Sequence, residues 1–119
     1  MKKIAAIDIG SNAVRMLICY VLINEDEHFF QKNQYIRLPL RLGEDSFKTG
    51  YISDNNINSL SNALLSFKYT MKVHRVEHYQ IYATSALRES KNSNDVIKQI
   101  YDLTGMKIKL IDGLKEAKV

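Results

Sequence analysis

The sequence predicts an α/β domain built on a five-stranded mixed sheet with flanking helices. Three observations carry this prediction. Two apolar runs, Ile4–Ile9 and Ala13–Ile23, are separated only by Gly10-Ser11-Asn12, a connection short enough for an antiparallel hairpin. A third strand-like run follows, and beyond it the apolar pattern alternates between helical and strand spacing. A meander followed by helix–strand alternation gives a mixed sheet with helices packed against it.

The elements follow in order. Ile4–Ile9 is a short, continuously apolar strand closed by Gly10. Ala13–Ile23 is a second strand rich in Val, Ile, Leu and Tyr, and Asn24–Glu27 is a polar turn. His28–Leu42 supplies the third strand, broken near Pro39, which cannot donate to a central ladder. Gly43–Ser53, with two glycines and polar filler, reads as a loop long enough to move. Ser53 is placed to cap a helix whose stripe is Ile57, Leu60, Leu64, Phe67 and Met71, at alternating spacings of three and four. Val76–Ala83 is the fourth strand. Thr84–Asp95 is a turn, a short helical piece and another turn. Val96, Ile97, Ile100, Leu103 and Thr104 form the next helical stripe, ended by Gly105. Lys107–Ile111 is the fifth strand, and a last helix begins in "DGLKEAKV". The predicted order is β-β-β-α-β-α-β-α.

Composition narrows the function classes. The chain has 119 residues, 45% hydrophobic and 25% charged, enough for one domain with a single core. A formal net charge of +4 would suit an anionic partner, but the basic residues are scattered and no aromatic–basic platform accompanies them, which argues against a nucleic acid duplex. No stretch approaches the ~18 apolar residues of a membrane span, and a cytoplasmic home is expected. The lone Cys19, inside an apolar run, reads as a buried small hydrophobe. His28, His74 and His78 read as surface residues.

Two turns carry candidate chemistry. Asp8, Ser11 and Asn12 either serve the turn, through bonds to nearby backbone amides, or form half of an anion site. A tight turn at Gly10-Ser11-Asn12 presents backbone N–H groups into one concavity, with Asp8 beside it to hold Mg²⁺ or a water. Arg15, inside an otherwise apolar strand, must pair or reach the sheet edge; the alternatives are a surface arginine and a phosphate clamp. "ATSALRES" repeats the composition at Thr84, Ser85 and Arg88. Its hydroxyls either cap a short helix or join a second anion contact.

The segments "IDIGSNAVRMLI", "LRLGED" with "TGYIS", "ATSALRES" and "IKLIDGLKEA" occur in an order and spacing that resembles the exopolyphosphatase and guanosine pentaphosphate phosphohydrolase family, within the actin-like ATPase superfamily. The resemblance runs from residue 3 to the end of the sequence. It implies a ribonuclease-H-like domain, and residues 1–119 look like the first of the family's two domains, with the second absent. The reaction implied is release of terminal phosphate from polyphosphate or guanosine pentaphosphate, with Mg²⁺ or another divalent cation as cofactor. By the same resemblance Asp8 acts through the metal or the attacking water, and Gly10, Ser11 and Asn12 cradle phosphate. Arg15 and Arg88 neutralise it, and Thr84 and Ser85 supply hydroxyl contacts. Homodimerisation is left open.

Two departures from the family pattern bear on catalysis. The family's acidic run, Gly-Glu-Glu-Glu-Ala, is here Gly113-Leu114-Lys115-Glu116-Ala117, so Lys115 stands where the general base is expected. Charged lysine cannot accept a proton; Glu116 is retained, but one helix position turns a side chain by about 100°. Ala13 replaces a common serine. The leading expectation is therefore the N-terminal domain of an exopolyphosphatase-like enzyme, inactive by itself. Its rivals are a binding or sensor module that has lost the base, and, less well matched by "ATSALRES", half of a kinase-like phosphotransferase.

Overall fold

The computed structural model describes residues 2–23 and 28–111, with side chains described throughout except at 22–23 and 28–33. Its strands are β1 (Lys2–Ile9), β2 (Ala13–Ile23), β3 (His28–Pro39), β4 (His78–Ala83) and β5 (Lys109–Leu110). The helices are α1 (Leu42–Lys48), α2 (Asp54–His74), α3 (Ser85–Glu89) and α4 (Ser93–Thr104). One sheet contains all five strands in the order β3-β2-β1-β4-β5. The meander β1–β2–β3 is antiparallel, whereas β4 joins the free side of β1 in parallel and β5 joins β4 in parallel. The expected mixed sheet is present.

Alternation of side chains gives the sheet two unlike faces. Ile7, Ile9, Val14, Met16, Ile18 and Ile81 are buried on one face, in a core cluster they share with α2 and α4. Burying each such side chain is worth about 1.5–3 kcal/mol. The helix stripe Ile57, Leu60, Leu64, Phe67 and Met71 is buried as its spacing requires, and the Ser53 hydroxyl accepts the Asn56 N–H at 3.2 Å as the N-cap. Gly105, in the left-handed region at φ 74°, ends α4 and donates its N–H to the Tyr101 carbonyl. On the opposite face of the sheet Ala6, Arg15, Arg37 and Gln80 are exposed, and no described residue of that face belongs to the core cluster.

Several boundaries differ from expectation for physical reasons. The third strand stops at Pro39, and Leu42–Lys48 is a helix rather than the start of a loop, with Glu44 and Asp45 in its first turn and Lys48 in its last. The described order is therefore β-β-β-α-α-β-α-α-β. Only Lys109–Leu110 of the fifth run pairs, and the fourth strand begins at His78. Leu103 is 55% exposed and lies off the α4 stripe. Cys19 is half-buried, because it falls on the open face of the sheet beside a register shift between Ile18 and Cys19. The turn at Asn24–Glu27 and the last helix lie outside the described residues.

Candidate anion site

Parallel pairing of β1 with β4 sets Ile9 opposite Ala83, so both strands end side by side. The Thr84 N–H donates to the Ile9 carbonyl at 3.1 Å, and the Ser11 and Ser85 hydroxyls meet at 3.3 Å, linking residues 74 apart in sequence. The turns after β1 and β4 thus form one site, at the carboxyl ends of parallel strands where ligands bind in open α/β sheets. The first turn is shaped by Gly10, which donates its N–H to the Ala13 carbonyl at 2.9 Å. Among the described residues nothing accepts from the backbone N–H of Ser11 or of Asn12. Two successive open donors flanked by two hydroxyls make a concavity suited to an anion.

Sequence reasoning missed the brace behind this turn. The Gly43 N–H donates to the Ser11 carbonyl at 2.9 Å and the Leu40 N–H to the Asn12 carbonyl at 3.0 Å. A Cβ at Gly43 would stand 3.2 Å from the Ser11 Cβ, so this close approach favours glycine. Asp45 fixes α1 to the start of α2: its Oδ2 accepts the Ser53 N–H at 2.8 Å and the Asn56 side-chain amide at 2.7 Å. Burial pushes the Asp45 carboxyl up, but the Ser53 and Asn56 donors and nearby Lys48 outweigh it and hold the pKa below the ordinary value. Asn92 clamps the far end of the segment, accepting the Ile52 N–H at 2.9 Å and donating to the Ile52 carbonyl at 3.0 Å. The signal was "LGED", a leucine and a glycine followed by two acids, which also begins a helix.

Asp8 and Arg15 are directly opposite each other on β1 and β2, with Oδ2 and Nη1 3.6 Å apart and each side chain nearly half exposed. Arg15 is thus neither at a sheet edge nor unpaired. Asp8 is the next-to-last residue of β1, just before the turn. One carboxylate completed by phosphate oxygens and water is a usual donor set for Mg²⁺, so these residues fit that ion, and Asp8 is the side chain that would hold it. Among the described residues no three His, Cys, Asp or Glu side chains gather to form a metal site of their own.

The other candidates are placed as follows. Thr84 is buried and its hydroxyl lies 3.5 Å from the Ile9 carbonyl, making no side-chain cap to α3. Arg88 donates from Nη1 to the Ile111 carbonyl at 2.6 Å, while its Nη2 lies 3.7 Å from Glu89. It therefore ties α3 to the exit of β5. His78 is exposed and His74 half-buried. Lys115 and Glu116, and with them the question of the base, lie outside the described residues.

Comparison with known proteins places the chain in a family. Residues 21–119 match the sequence profile described as the Ppx/GppA phosphatase family. The chain is 35% identical over 116 residues to a bifunctional 3-dehydroquinate synthase/phosphatase of Fusobacterium nucleatum, covering 95% of this chain and 18% of that protein. It is 28% identical over 127 aligned positions to Exopolyphosphatase 2 of Mycobacterium tuberculosis, covering 100% of this chain and 39% of that one. The chain thus spans between 18% and 39% of these relatives' lengths. In three dimensions it resembles the Aquifex aeolicus member of the Ppx/GppA family at a TM-score of 0.85 and 24% identity, over 97% of this chain and 36% of that one.

Proposed function

Since the chain belongs to the Ppx/GppA phosphatase family and has the ribonuclease-H-like fold of an actin-like ATPase domain, we propose that it is the N-terminal, phosphate-gripping domain of an exopolyphosphatase-like phosphohydrolase. The substrate is polyphosphate or guanosine pentaphosphate, and the reaction releases its terminal phosphate. The observation that carries this reading is the 3.3 Å meeting of Ser11 and Ser85, which joins the two turns beside two open backbone donors.

The geometry supports roles for the described residues. The Ser11 and Asn12 N–H groups cradle the terminal phosphate, and the two serine hydroxyls orient it. Arg15 neutralises its charge, and Arg88 adds positive charge beside the second turn while bracing β5. Asp8 would hold a divalent cation, which when bound would offset the negative charge of the phosphate oxygens. Phosphoryl transfer then requires little beyond positioning, charge stabilisation and an oriented water. By the family resemblance alone, Glu116, retained beside Lys115, is the residue that would orient that water.

Lys115 favours a second reading, in which the protein binds phosphate chains without turning them over. The full-length protein with Mg²⁺ and long polyphosphate separates the two. Phosphate release that Glu116→Gln and Asp8→Asn each reduce by about 100-fold or more supports the enzyme. Binding without release supports the sensor. Absence of both overturns the anion site.

A further inference from the structure

We propose that the open face of the sheet continues the anion site, with Arg37 on β3 extending the grip from Arg15 so that the protein holds an extended phosphoanhydride chain rather than one phosphate group. This rests on the phosphate-binding reading above and adds a residue and a substrate length to it. The register aligns Arg37 with Arg15, Arg15 with Asp8, Asp8 with Tyr82 and Tyr82 with Lys109, one transverse row over all five strands. At about 4.8 Å per strand spacing the row is about 19 Å long. Arg15, Arg37 and Lys109 are exposed.

The charges in this row are unbalanced. Like charges directly opposite on neighbouring strands are destabilising, yet Arg15 and Arg37 are such a pair. Asp8 approaches Arg15, whereas Arg37 forms no ion pair among the described residues. The positive charge is also local. The neighbouring row, Tyr35, Leu17, Ala6 and Gln80, carries none, so one uncharged row separates Arg15 and Arg37 from the next lysines by register, Lys32 opposite Cys19 and Lys2 at the start of β1. A linear polyanion whose end sits on the turn and whose body crosses β2 and β3 is the occupant that this charge pattern complements.

The test compares pyrophosphate, too short to reach β3, with long-chain polyphosphate, each with Mg²⁺, by isothermal titration calorimetry over a range of salt. Arg37→Gln is expected to cut the preference for the long chain about five- to tenfold and to lower the salt dependence of its binding by about one ion. Arg37→Lys, keeping the charge, should recover much of the preference, and circular dichroism checks that both variants fold. Equal weakening of both ligands, or no change, overturns the role of Arg37 while leaving the turn site standing. A wild-type protein that binds neither ligand overturns both readings. Heparin bound as tightly as polyphosphate at equal charge would reduce the row to a general cationic patch and overturn the assignment.

Discussion

At Arg15 the contribution to stability can be separated from the proposed contribution to binding. Its pairing with Asp8 is at 3.6 Å, with both groups nearly half exposed, a setting in which an ion pair contributes about 0–1 kcal/mol. Its cross-strand neighbour Arg37 repels it, which offsets part of that gain. Arg15→Ala should therefore change the denaturant midpoint little, by less than about 1 kcal/mol, while weakening polyphosphate binding about 10- to 100-fold through loss of a charge-assisted contact. Chemical denaturation and calorimetry on the same variant check the two halves; a large loss of stability with intact binding would assign Arg15 to the fold. The sequence showed that this arginine needed a partner, but it could not name Asp8, because register becomes visible only once strands pair.

The elements were legible in proportion to the length of their pattern. The stripe of α2 and the hairpin β1–β2 are long or tightly connected, and both formed where expected. Helix α1 was missed because its seven residues are too few for a periodic stripe, and its stability comes from Asp45 and from contact with the first turn. Asp45 makes that link sensitive to acid. Its folded pKa lies below its unfolded value, so its contribution is complete above an unfolded pKa of about 3.9 and is lost as pH falls through the depressed folded value. Asp45→Asn should therefore destabilise the protein at neutral pH and flatten the fall in stability on acidification below about pH 4. Melting temperatures from pH 2 to pH 7 check this, and parallel curves for the two proteins would show that Asp45 does not couple α1 to α2.

On the scale of the whole molecule, the sequence showed strand and helix types but not which sheet face the described helices would cover. The helices α2 and α4 settle that by burying the apolar face. The candidate site was legible as two motifs, and their meeting depended on the parallel register of β1 with β4. If phosphate chains bind at that junction, polyphosphate at about 100 times its dissociation constant should stabilise the fold by about 2.7 kcal/mol, raising the melting temperature by about 10 °C. A scan with and without polyphosphate in Mg²⁺ checks this, and coincident melts would exclude binding to the native state at those concentrations.

The contact between Ser11 and Ser85 also has a kinetic meaning. Hairpin β1–β2 closes over three residues, but the two serines meet only after the intervening 73 residues have been gathered and β4 has docked on β1. Such distant contacts bear a large loop-closure entropy and belong to the slow, late part of assembly. The nascent chain therefore cannot present the site until β4 and α3 have been synthesised. Until then the first turn has its own open amides but no opposing hydroxyl, so a phosphate bound at the proposed site would select molecules in which β4 has docked on β1.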